Sequence, residues 1–245
     1  MTSFAGRERV LGLFDGLRLT DVCDAMDAVG LQDVGTMDRD IQPLWRDTEG
    51  FKHRIYGCAL TVRFMPTDKR APTFSSLEDY FKWKSDWYQK LANDHLMENI
   101  KPGDVIVIDA AGTGDVGFIG SNNSLAWVKA GATGVVTNAG CRDTDEIIKQ
   151  QIPVYCRFIS RGIRPGRLEF ESINKPINCG GVLVHPGDVV VADGDGVIVV
   201  PWGKAEEIAK IARRIQESDK KSRRKLYEDL GMPLDFTVEE KKKPE

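Results

Sequence analysis

The chain has 245 residues, 41% of them hydrophobic, and a formal net charge of −3, which is ordinary for one large globular domain or two small ones. This charge gives no field that would hold a polyanion, so we expect no nucleic-acid partner. No apolar run reaches the length of a membrane span and the first residues lack a signal-peptide core. We therefore expect no membrane partner and a cytoplasmic location. None of the five cysteines forms a CxxC pair, which favours reduced thiols.

The N-terminal part of the chain is predicted to be mostly helical. Hydrophobic spacing predicts two short helices within residues 6–30, the second beginning at Thr20 and ending at Gly30. Alternating apolar residues predict a strand over Gly57–Phe64. Residues 75–100 follow the pattern of one long amphipathic helix, whose aromatic stripe suits a core or a subunit interface better than a substrate contact.

From residue 101 onward, short apolar runs alternate with helical patterns, as in an α/β protein. A charged tail over 232–245 is expected to be disordered. The predicted elements are strand Val105–Asp109, helix Ser121–Ala130, strand Gly134–Thr137, helix Asp143–Gln150, strands Val154–Ile159, Arg167–Ser172, Gly181–Val184, Val189–Ala192 and Val197–Val200, and a helix from Pro201 to about Leu230.

Two Pro-Gly-Asp turns, at 102–104 and 186–188, each lead into an apolar strand that ends on an aspartate. The repetition suggests two similar strand entries within one α/β/β/α sandwich. The alternative is that Pro-Gly-Asp is simply a favourable turn before a strand.

A candidate anion site lies where the turn Gly120–Asn123 begins a helix. The backbone N–H groups of residues 121–123 are free at the positive end of that helix, with Ser121 as the expected cap. The next strand leads to Arg142 and Asp143. In a β-α-β unit this strand returns beside the first, which places Arg142 within reach of the same anion.

Arg142 and Asp143 are therefore candidates for carboxylate and metal binding. A planar guanidinium pairs well with a carboxylate. The hard oxygens of Asp143 suit Mg²⁺ or Mn²⁺ that keeps most of its waters. The alternative is that Asp143 caps the next helix and Arg142 is a surface charge. Cys141, beside the pair, is not expected to be a nucleophile because no histidine is near it in sequence.

Two further motifs match known binding sites poorly. Gly112–Gly117 fits G-x-G-x-x-G, but the helix begins only after Gly120 and no acid stands where a ribose ligand is expected. A nicotinamide-dependent oxidoreductase thus stays an alternative. Asp193–Gly196 resembles the start of a calcium loop, yet the later positions are Ile198 and Lys204, so we predict a tight turn between strands.

These residues resemble the RraA-like family, which includes the 4-hydroxy-4-methyl-2-oxoglutarate/4-carboxy-4-hydroxy-2-oxoadipate aldolases. The resemblance covers residues 18–230. It implies a single-domain α/β/β/α sandwich of the swivelling β/β/α type over residues 1–231, with a helical insertion at 71–100. It also implies homotrimers or homohexamers with active sites between subunits. The matching segments are Gly103–Asp109, Gly120–Val136, Arg142-Asp143 and Pro186–Pro201.

The resemblance assigns a role to each candidate residue. Asp143 matches the metal-binding aspartate, with Mg²⁺ or Mn²⁺ as cofactor, and Arg142 matches the catalytic and substrate-binding arginine. The backbone of Gly120, Ser121, Asn122 and Asn123 matches the amides that bind a substrate carboxylate. The implied reaction is cleavage of a 2-oxo acid, by retro-aldol reaction to pyruvate or by oxaloacetate-type decarboxylation, with the metal and Arg142 stabilising the enolate.

This chain departs from the family at three points. Ser121 stands where the aldolases have an acid, Asn138-Ala139 replaces Asp-Gly, and the C-terminal acid has no secure match, with Glu217 and Asp219 only nearby. These changes affect acid–base chemistry more than anion and metal binding. The alternatives are a related dehydratase or decarboxylase, or a non-catalytic regulator that binds a ribonuclease.

Overall fold

Helices and strands alternate along the residues that the computed structural model describes, 4–110 and 114–239. The helices are α1 (Phe4–Gly12), α2 (Leu19–Ala28), α3 (Leu77–Lys90), α4 (Leu96–Asn99), α5 (Ser121–Ala130), α6 (Thr144–Lys149) and α7 (Ala205–Asp229). The strands are β1 (Gln42–Pro43), β2 (Ile55–Pro66), β3 (Asp104–Asp109), β4 (Gly117–Ile119), β5 (Ala132–Cys141), β6 (Val154–Ile159), β7 (Leu168–Ile173), β8 (Ile177–Cys179), β9 (Val182–Val184), β10 (Val189–Asp193) and β11 (Gly196–Val200).

One mixed sheet organises the molecule, in the order β1-β6-β5-β3-β2-β10-β11, with β4 beside β5 and β7 beside β2. Strands β2, β3, β5 and β6 are parallel, whereas β1, β10 and β11 run antiparallel to their neighbours. The chain at 35–37 bonds to β11, since Met37 N–H donates to the Val197 carbonyl over 3.1 Å, and it continues into β1. The sheet is therefore nearly closed on itself.

The core follows from the two-residue period of the strands. In β3, Val105 and Val107 face the inside of the curled sheet, where the β8–β9 hairpin covers them, and Ile106 and Ile108 face outward. Helices α3, α5 and α6 pack over one outer face, and α1, α2 and α7 over the other. Each fully buried aliphatic side chain stabilises this arrangement by about 1.5–3 kcal/mol.

The α/β class is confirmed, and the two β layers of the expected sandwich are opposite sides of one curled sheet.

The two Pro-Gly-Asp turns are closed by the same hydrogen bond. Asp104 Oδ2 accepts the Lys101 N–H over 2.7 Å, and Asp188 Oδ2 accepts the His185 N–H over 2.9 Å. The strands that follow, β3 and β10, flank β2 on its two sides. The tight turn expected at Asp193–Gly196 joins β10 to β11.

The single helix expected over 75–100 is instead two helices, α3 and α4. The Asn93 and Asp94 side chains accept the backbone N–H groups of His95 and Leu96, over 3.3 and 3.1 Å. Such local bonds compete with helical ones, so the helix ends before them.

The sequence prediction also omitted the short strands β1, β4 and β8. None of the helices in 4–110 and 114–239 is both long and apolar enough to cross a bilayer.

The disorder expected from residue 232 does not extend over 232–239, which fold back onto the body. Val238 is fully buried, and the Phe236 ring lies 5.1 Å from the Phe51 ring in an edge-to-face contact. Lys220 Nζ donates to the Glu239 carbonyl over 3.1 Å. Segment 232–239 is more apolar than the rest of the tail, and burial of Val238 stabilises its docking. The rest of the tail, 240–245, lies outside the described residues.

Candidate functional site

Arg142 and Asp143 follow the carboxyl end of β5, directly beside the turn that begins α5. Strand β4 pairs with β5 so that Ile119 lies opposite Cys141, and the Arg142 N–H donates to the Ile119 carbonyl over 2.8 Å. The two segments that the sequence analysis placed together are thus in contact. The local reason is that β4 and β5 are parallel, so the residues after both strands meet at one edge of the sheet.

The Asp143 carboxylate sits at the N-terminus of α5. Its Oδ2 accepts the Ser121 N–H over 3.1 Å and lies 3.4 Å from the Ser121 hydroxyl, while its Oδ1 accepts Arg142 Nε over 3.2 Å. Partial burial raises the pKa of Asp143, but these bonds outweigh burial, and the pKa ends below its ordinary value. Asp143 is therefore an ionised carboxylate held in one orientation.

The backbone of Asp143 is also unusual, with φ 56° and ψ 41° in the left-handed region. Non-glycine residues rarely adopt this conformation, and those that do cluster at functional sites. Asp143 occupies the N-cap position of α6, but its side chain makes no cap hydrogen bond to that helix. The carboxylate that could cap α6 faces Ser121 instead.

Two glycines let the chain approach the pair closely. A Cβ on Gly117 would lie 2.7 Å from Arg142 Cβ and Cγ, and one on Gly120 would lie 2.9 Å from Asp143 Oδ2. Gly117 is the last glycine of the G-x-G-x-x-G match, and here it lies in β4 against the arginine. The start of that match, Gly112 and Thr113, lies outside the described residues.

The backbone amides of residues 121–123, which were expected to bind substrate, fall into two groups: one is bonded within the chain, and the others are candidates for a ligand. Ser121 donates its N–H to the chain's own Asp143, so we assign Ser121 to orient the carboxylate. The Gly120 carbonyl is bonded to the Ser124 N–H over 3.0 Å, as the first bond of the helix. The N–H groups of Asn122 and Asn123 stay the candidates for an anionic ligand, because the first turn of a helix leaves them without helical partners.

Arg142 keeps donors for a ligand. Its side chain is 33% exposed, and its contacts within the described ranges engage Nε, with Asp143, and Nη1, with the Arg161 carbonyl at 3.4 Å. A guanidinium carries five N–H donors in a fixed plane, so the outer face can still bind a carboxylate. Arg161 also lines a cavity of about 430 Å³ that lies along the ends of β3, β5 and β6.

A second arginine, which the sequence analysis missed, ties the helical insertion to the site. Arg164 is 5% exposed, pairs with Asp94 over 2.7 Å, and lies 4.6 Å from the centre of the Phe118 ring in β4. Burial raises the pKa of Tyr88 in α3, while the charges of Arg164 and Arg142 lower it. Trp87 of α3 and Phe118 of β4 belong to one buried cluster, so α3 packs behind the strand that carries the site. No local motif marks Arg164, because its partners are distant in sequence.

Asn138, one of the departures from the family pattern, is a buried connector. Its Oδ1 accepts the Ala110 N–H over 2.9 Å, and its Nδ2 donates to Asp109 Oδ1 over 2.8 Å and to the Asn178 carbonyl over 3.2 Å. It thereby joins β3, β5 and β8. The amide replaces a carboxylate at a position where a second buried charge beside Asp109 would be costly.

The C-terminal acids lie away from Arg142 and Asp143 within one chain. Asp219 is on α7, where its Oδ2 accepts Arg18 Nη2 over 2.6 Å on the side of the sheet that α2 covers. Glu217 is on the same helix. Across the described residues, no group of three or more histidine, cysteine, aspartate or glutamate side chains is placed to hold a metal ion. Asp143 is thus the candidate protein ligand within one chain.

Cys141 is not a nucleophile in this arrangement. Its side chain is fully buried, with Sγ 3.5 Å from Cys156 Sγ. The contact with Cys156 and burial raise the pKa of the Cys141 thiol, so it stays protonated. All five cysteines lie in the described ranges as free thiols.

The nearly closed sheet and the carboxylate–arginine pair at its edge define an α/β protein with a candidate anion and metal site. A family model described as RraA-like, Aldolase/RraA, matches residues 19–199, more than half of the chain. The chain belongs to the RraA-like family.

Some similar proteins carry the name of an aldolase. A Halalkalibacterium halodurans protein named "Putative 4-hydroxy-4-methyl-2-oxoglutarate aldolase" is 35% identical over 137 residues, 55% of this chain. The chain spans only 63% of that relative's length. A Burkholderia mallei protein of the same name is 25% identical over 183 residues, covering 74% of this chain and 93% of the relative.

A solved structure shares the fold. Streptomyces coelicolor RraAS2, described as an unusual member of the RNase ES inhibitor RraA protein family, matches with a TM-score of 0.71 at 24% identity. The match covers 89% of this chain and 98% of the other. At this identity the likeness establishes the fold alone.

Proposed function

We propose that this chain is a divalent-metal-dependent carbon–carbon lyase that acts on a 2-oxo acid, by retro-aldol cleavage to pyruvate or by oxaloacetate-type decarboxylation. The observation that carries the proposal is the ionised Asp143 carboxylate, held by Ser121 at a helix N-terminus and next to an arginine with unused donors. The names of the Halalkalibacterium and Burkholderia relatives support the aldolase class.

The donor set fits a hard divalent cation. Mg²⁺ and Mn²⁺ prefer oxygen, and Mg²⁺ commonly binds through one or two carboxylates while keeping several waters. Asp143 supplies one such carboxylate, and each of its oxygens has a lone pair beyond the bonds described above. When bound there, the metal would polarise the substrate's 2-oxo group as a Lewis acid.

The chain's own residues have distinct tasks in this proposal. Arg142 binds the carboxylate of the 2-oxo acid through its outer N–H groups and offsets the negative charge that develops on the enolate. The Asn122 and Asn123 amides bind the same carboxylate at the positive end of α5. Ser121 prevents Asp143 from turning toward α6. Substrate is thus oriented by fixed donors before any bond breaks.

In this proposal a single chain does not supply the general base, because Ser121 stands where the family has an acid. We expect a homotrimer or homohexamer in which a neighbouring copy brings a proton-accepting group to Asp143. The C-terminal acids Glu217 and Asp219 are the first to test, since both lie on α7 and not near their own chain's Arg142.

The test is pyruvate release from 4-hydroxy-4-methyl-2-oxoglutarate and from oxaloacetate, followed with a lactate dehydrogenase couple. We expect turnover with Mg²⁺ or Mn²⁺ and none in EDTA. Arg142→Lys should lower kcat by about 10²–10³-fold, as loss of fixed donors to a developing oxyanion does. Asp143→Asn should abolish metal activation, whereas Asp145→Asn, on the exposed first turn of α6, should be silent. Full activity in Asp143→Ala would refute the proposal.

A second candidate is a non-catalytic regulator that binds a ribonuclease. Ser121 in place of an acid favours it, and the fold is shared with a protein described as a member of an RNase ES inhibitor family. Saturable binding to an RNase E-type enzyme, without turnover of either 2-oxo acid, would support this function over the lyase. Water loss without pyruvate would instead indicate the related dehydratase.

A further inference from the structure

A second, larger cavity lies at the other end of the sheet from Arg142 and Asp143. Those residues follow the carboxyl end of β5, which is parallel to β2 through β3. The cavity is lined by Ile55 and Tyr56, at the amino end of β2, so it opens at the opposite edge. Its volume is about 700 Å³, within the range of small-molecule sites. The other walls are formed by residues 15–18, strand β10, helix α7 and the C-terminal segment 232–239.

Arg54 lines this cavity and forms no close ion pair with a described carboxylate. Its guanidinium carbon lies 3.9 Å from the centre of the Phe51 ring. Its Nε is buried without a hydrogen-bond partner, and no carboxylate among residues 4–110 and 114–239 pairs with it within 4.0 Å. Burial lowers the pKa of Arg54, the nearby Asp193 charge raises it in part, and the arginine side chain stays charged. A partly buried cation with an unused donor is costly unless an anion meets it.

The other cations of the cavity differ in how far they are neutralised. Arg18 pairs with Asp21 and Asp219, and Lys220 Nζ is held by the Phe236 and Glu239 carbonyls. Arg223, like Arg54, forms no ion pair within 4.0 Å with a described carboxylate, although its charge helps to lower the pKa of Asp235. Two guanidinium groups are therefore available to a ligand that enters.

Aromatic side chains form part of the remaining lining, beside the acidic residues Asp15 and Glu239 and the polar Gln216. Phe51 and Phe236 meet edge to face at 5.1 Å, and Tyr56 and Tyr227 line the same space. Aromatic faces next to unpaired guanidinium groups suit a ligand that carries both an apolar ring and a charge. The segment that contributes Phe236 closes the cavity by docking Val238 into the body.

We propose that this cavity binds a small organic anion, a carboxylate or a phosphate ester with an aromatic or similarly apolar body. Arg54 and Arg223 bind the anionic group, and Phe51 and Phe236 pack against the body. Within one chain the site shares no residue with the Arg142–Asp143 edge.

The experiment is calorimetric titration of the full chain at constant ionic strength with phenyl phosphate, benzoate, inorganic phosphate and benzyl alcohol. We expect saturable binding of phenyl phosphate or benzoate, with the better of the two identifying the anionic group. Inorganic phosphate should bind at least tenfold more weakly because it lacks the ring, and benzyl alcohol should not bind because it lacks the charge.

Variants assign the binding to this cavity. Arg54→Gln, Arg223→Gln and Phe236→Ala should each weaken phenyl phosphate binding at least tenfold, whereas Arg39→Gln, an exposed arginine outside the cavity, should not change it. Arg223 lies on α7, so its variant keeps the test informative if Arg54→Gln fails to fold. Asp143→Asn should retain full binding.

Three results would overturn the inference. The first is no saturable binding of phenyl phosphate or benzoate, and the second is unchanged affinity in both folded arginine variants. The third is loss of binding in Asp143→Asn, which would place the anion at the other edge of the sheet.

Discussion

The backbone N–H of Ser121 donates to Asp143 Oδ2 over 3.1 Å, across 22 residues of sequence. This bond joins the start of α5 to the end of β5, and it turns the Asp143 carboxylate away from α6. The helix dipole of α5 therefore stabilises a charge that belongs to the protein. An anionic substrate would meet the rest of that helix end with the carboxylate already in place.

Gly120→Ala tests how closely this carboxylate is held. The new Cβ would lie 2.9 Å from Asp143 Oδ2, so the carboxylate has to move. We expect Mg²⁺ affinity, measured by calorimetry, to fall about 10–100-fold, as it does when the groups that orient a metal ligand are lost. Gly203→Ala is the matched control, because nothing lies within 4 Å of its added Cβ. Equal losses in both variants would show that the effect is not local.

The lowered pKa of Asp143 predicts a pH-dependent contribution to stability. Because the folded-state pKa is below the unfolded value of about 3.9, the stabilisation is present above pH 4 and is lost as the pH falls through the folded value. The difference in unfolding free energy between wild type and Asp143→Asn should therefore shrink from pH 7 to pH 3, measured by urea denaturation. A difference that grows on acidification would reverse the assignment.

Arg164 and Asp94 should contribute much more to stability than a surface pair. Asp94→Asn leaves the Arg164 charge buried at 5% exposure, so we expect a loss of about 3–5 kcal/mol. The control pair is Arg161 with Asp115, at 2.5 Å and with the arginine 87% exposed, where Asp115→Asn should leave the free energy of unfolding almost unchanged. Similar losses of unfolding free energy for the two pairs would contradict this ranking.

The folded C-terminal segment predicts a cost for Val238→Ala. Val238 is fully buried, and removing its two methyl groups should lower the free energy of unfolding by about 1–2 kcal/mol. Leu230→Ala, at 72% exposure, should change it by less than about 0.5 kcal/mol. An unchanged melting curve for Val238→Ala would mean that the segment is not docked in solution.

Several elements could be predicted because their signals are local. Helix α5 spans Ser121–Ala130 and is followed by Gly131 at φ 117°, as a C-terminal glycine predicts. The expected cap was wrong: Gly120 is the N-cap, and the Ser121 side chain does not cap the helix. Strand β6 and the hairpin β10–β11 likewise follow from apolar runs bounded by turn residues. The contact between the Gly120 turn and Arg142 followed from the β-α-β order of these elements.

Other features escaped prediction because they depend on residues far apart in the chain. The break at Asn93-Asp94 is local in its hydrogen bonds, but the amphipathic pattern runs through it. The docking of 232–239 depends on Phe51, and the neutralisation of Arg164 depends on Asp94. Neither composition nor hydrophobic periodicity carries information about partners that are distant in sequence.

The sequence alone predicted the α/β class, most elements, the family and the contact of the Gly120 turn with Arg142 and Asp143. These features follow from hydrophobic period, turn residues and motif spacing, all of which are local in the chain. The tertiary structure decided that Ser121 binds Asp143, that the sheet closes through residues 35–37, and that unpaired arginines meet in a cavity. Those outcomes depend on which side chains from distant segments come into contact once the core is packed. They also depend on which hydrogen-bond donors then have no partner within the chain.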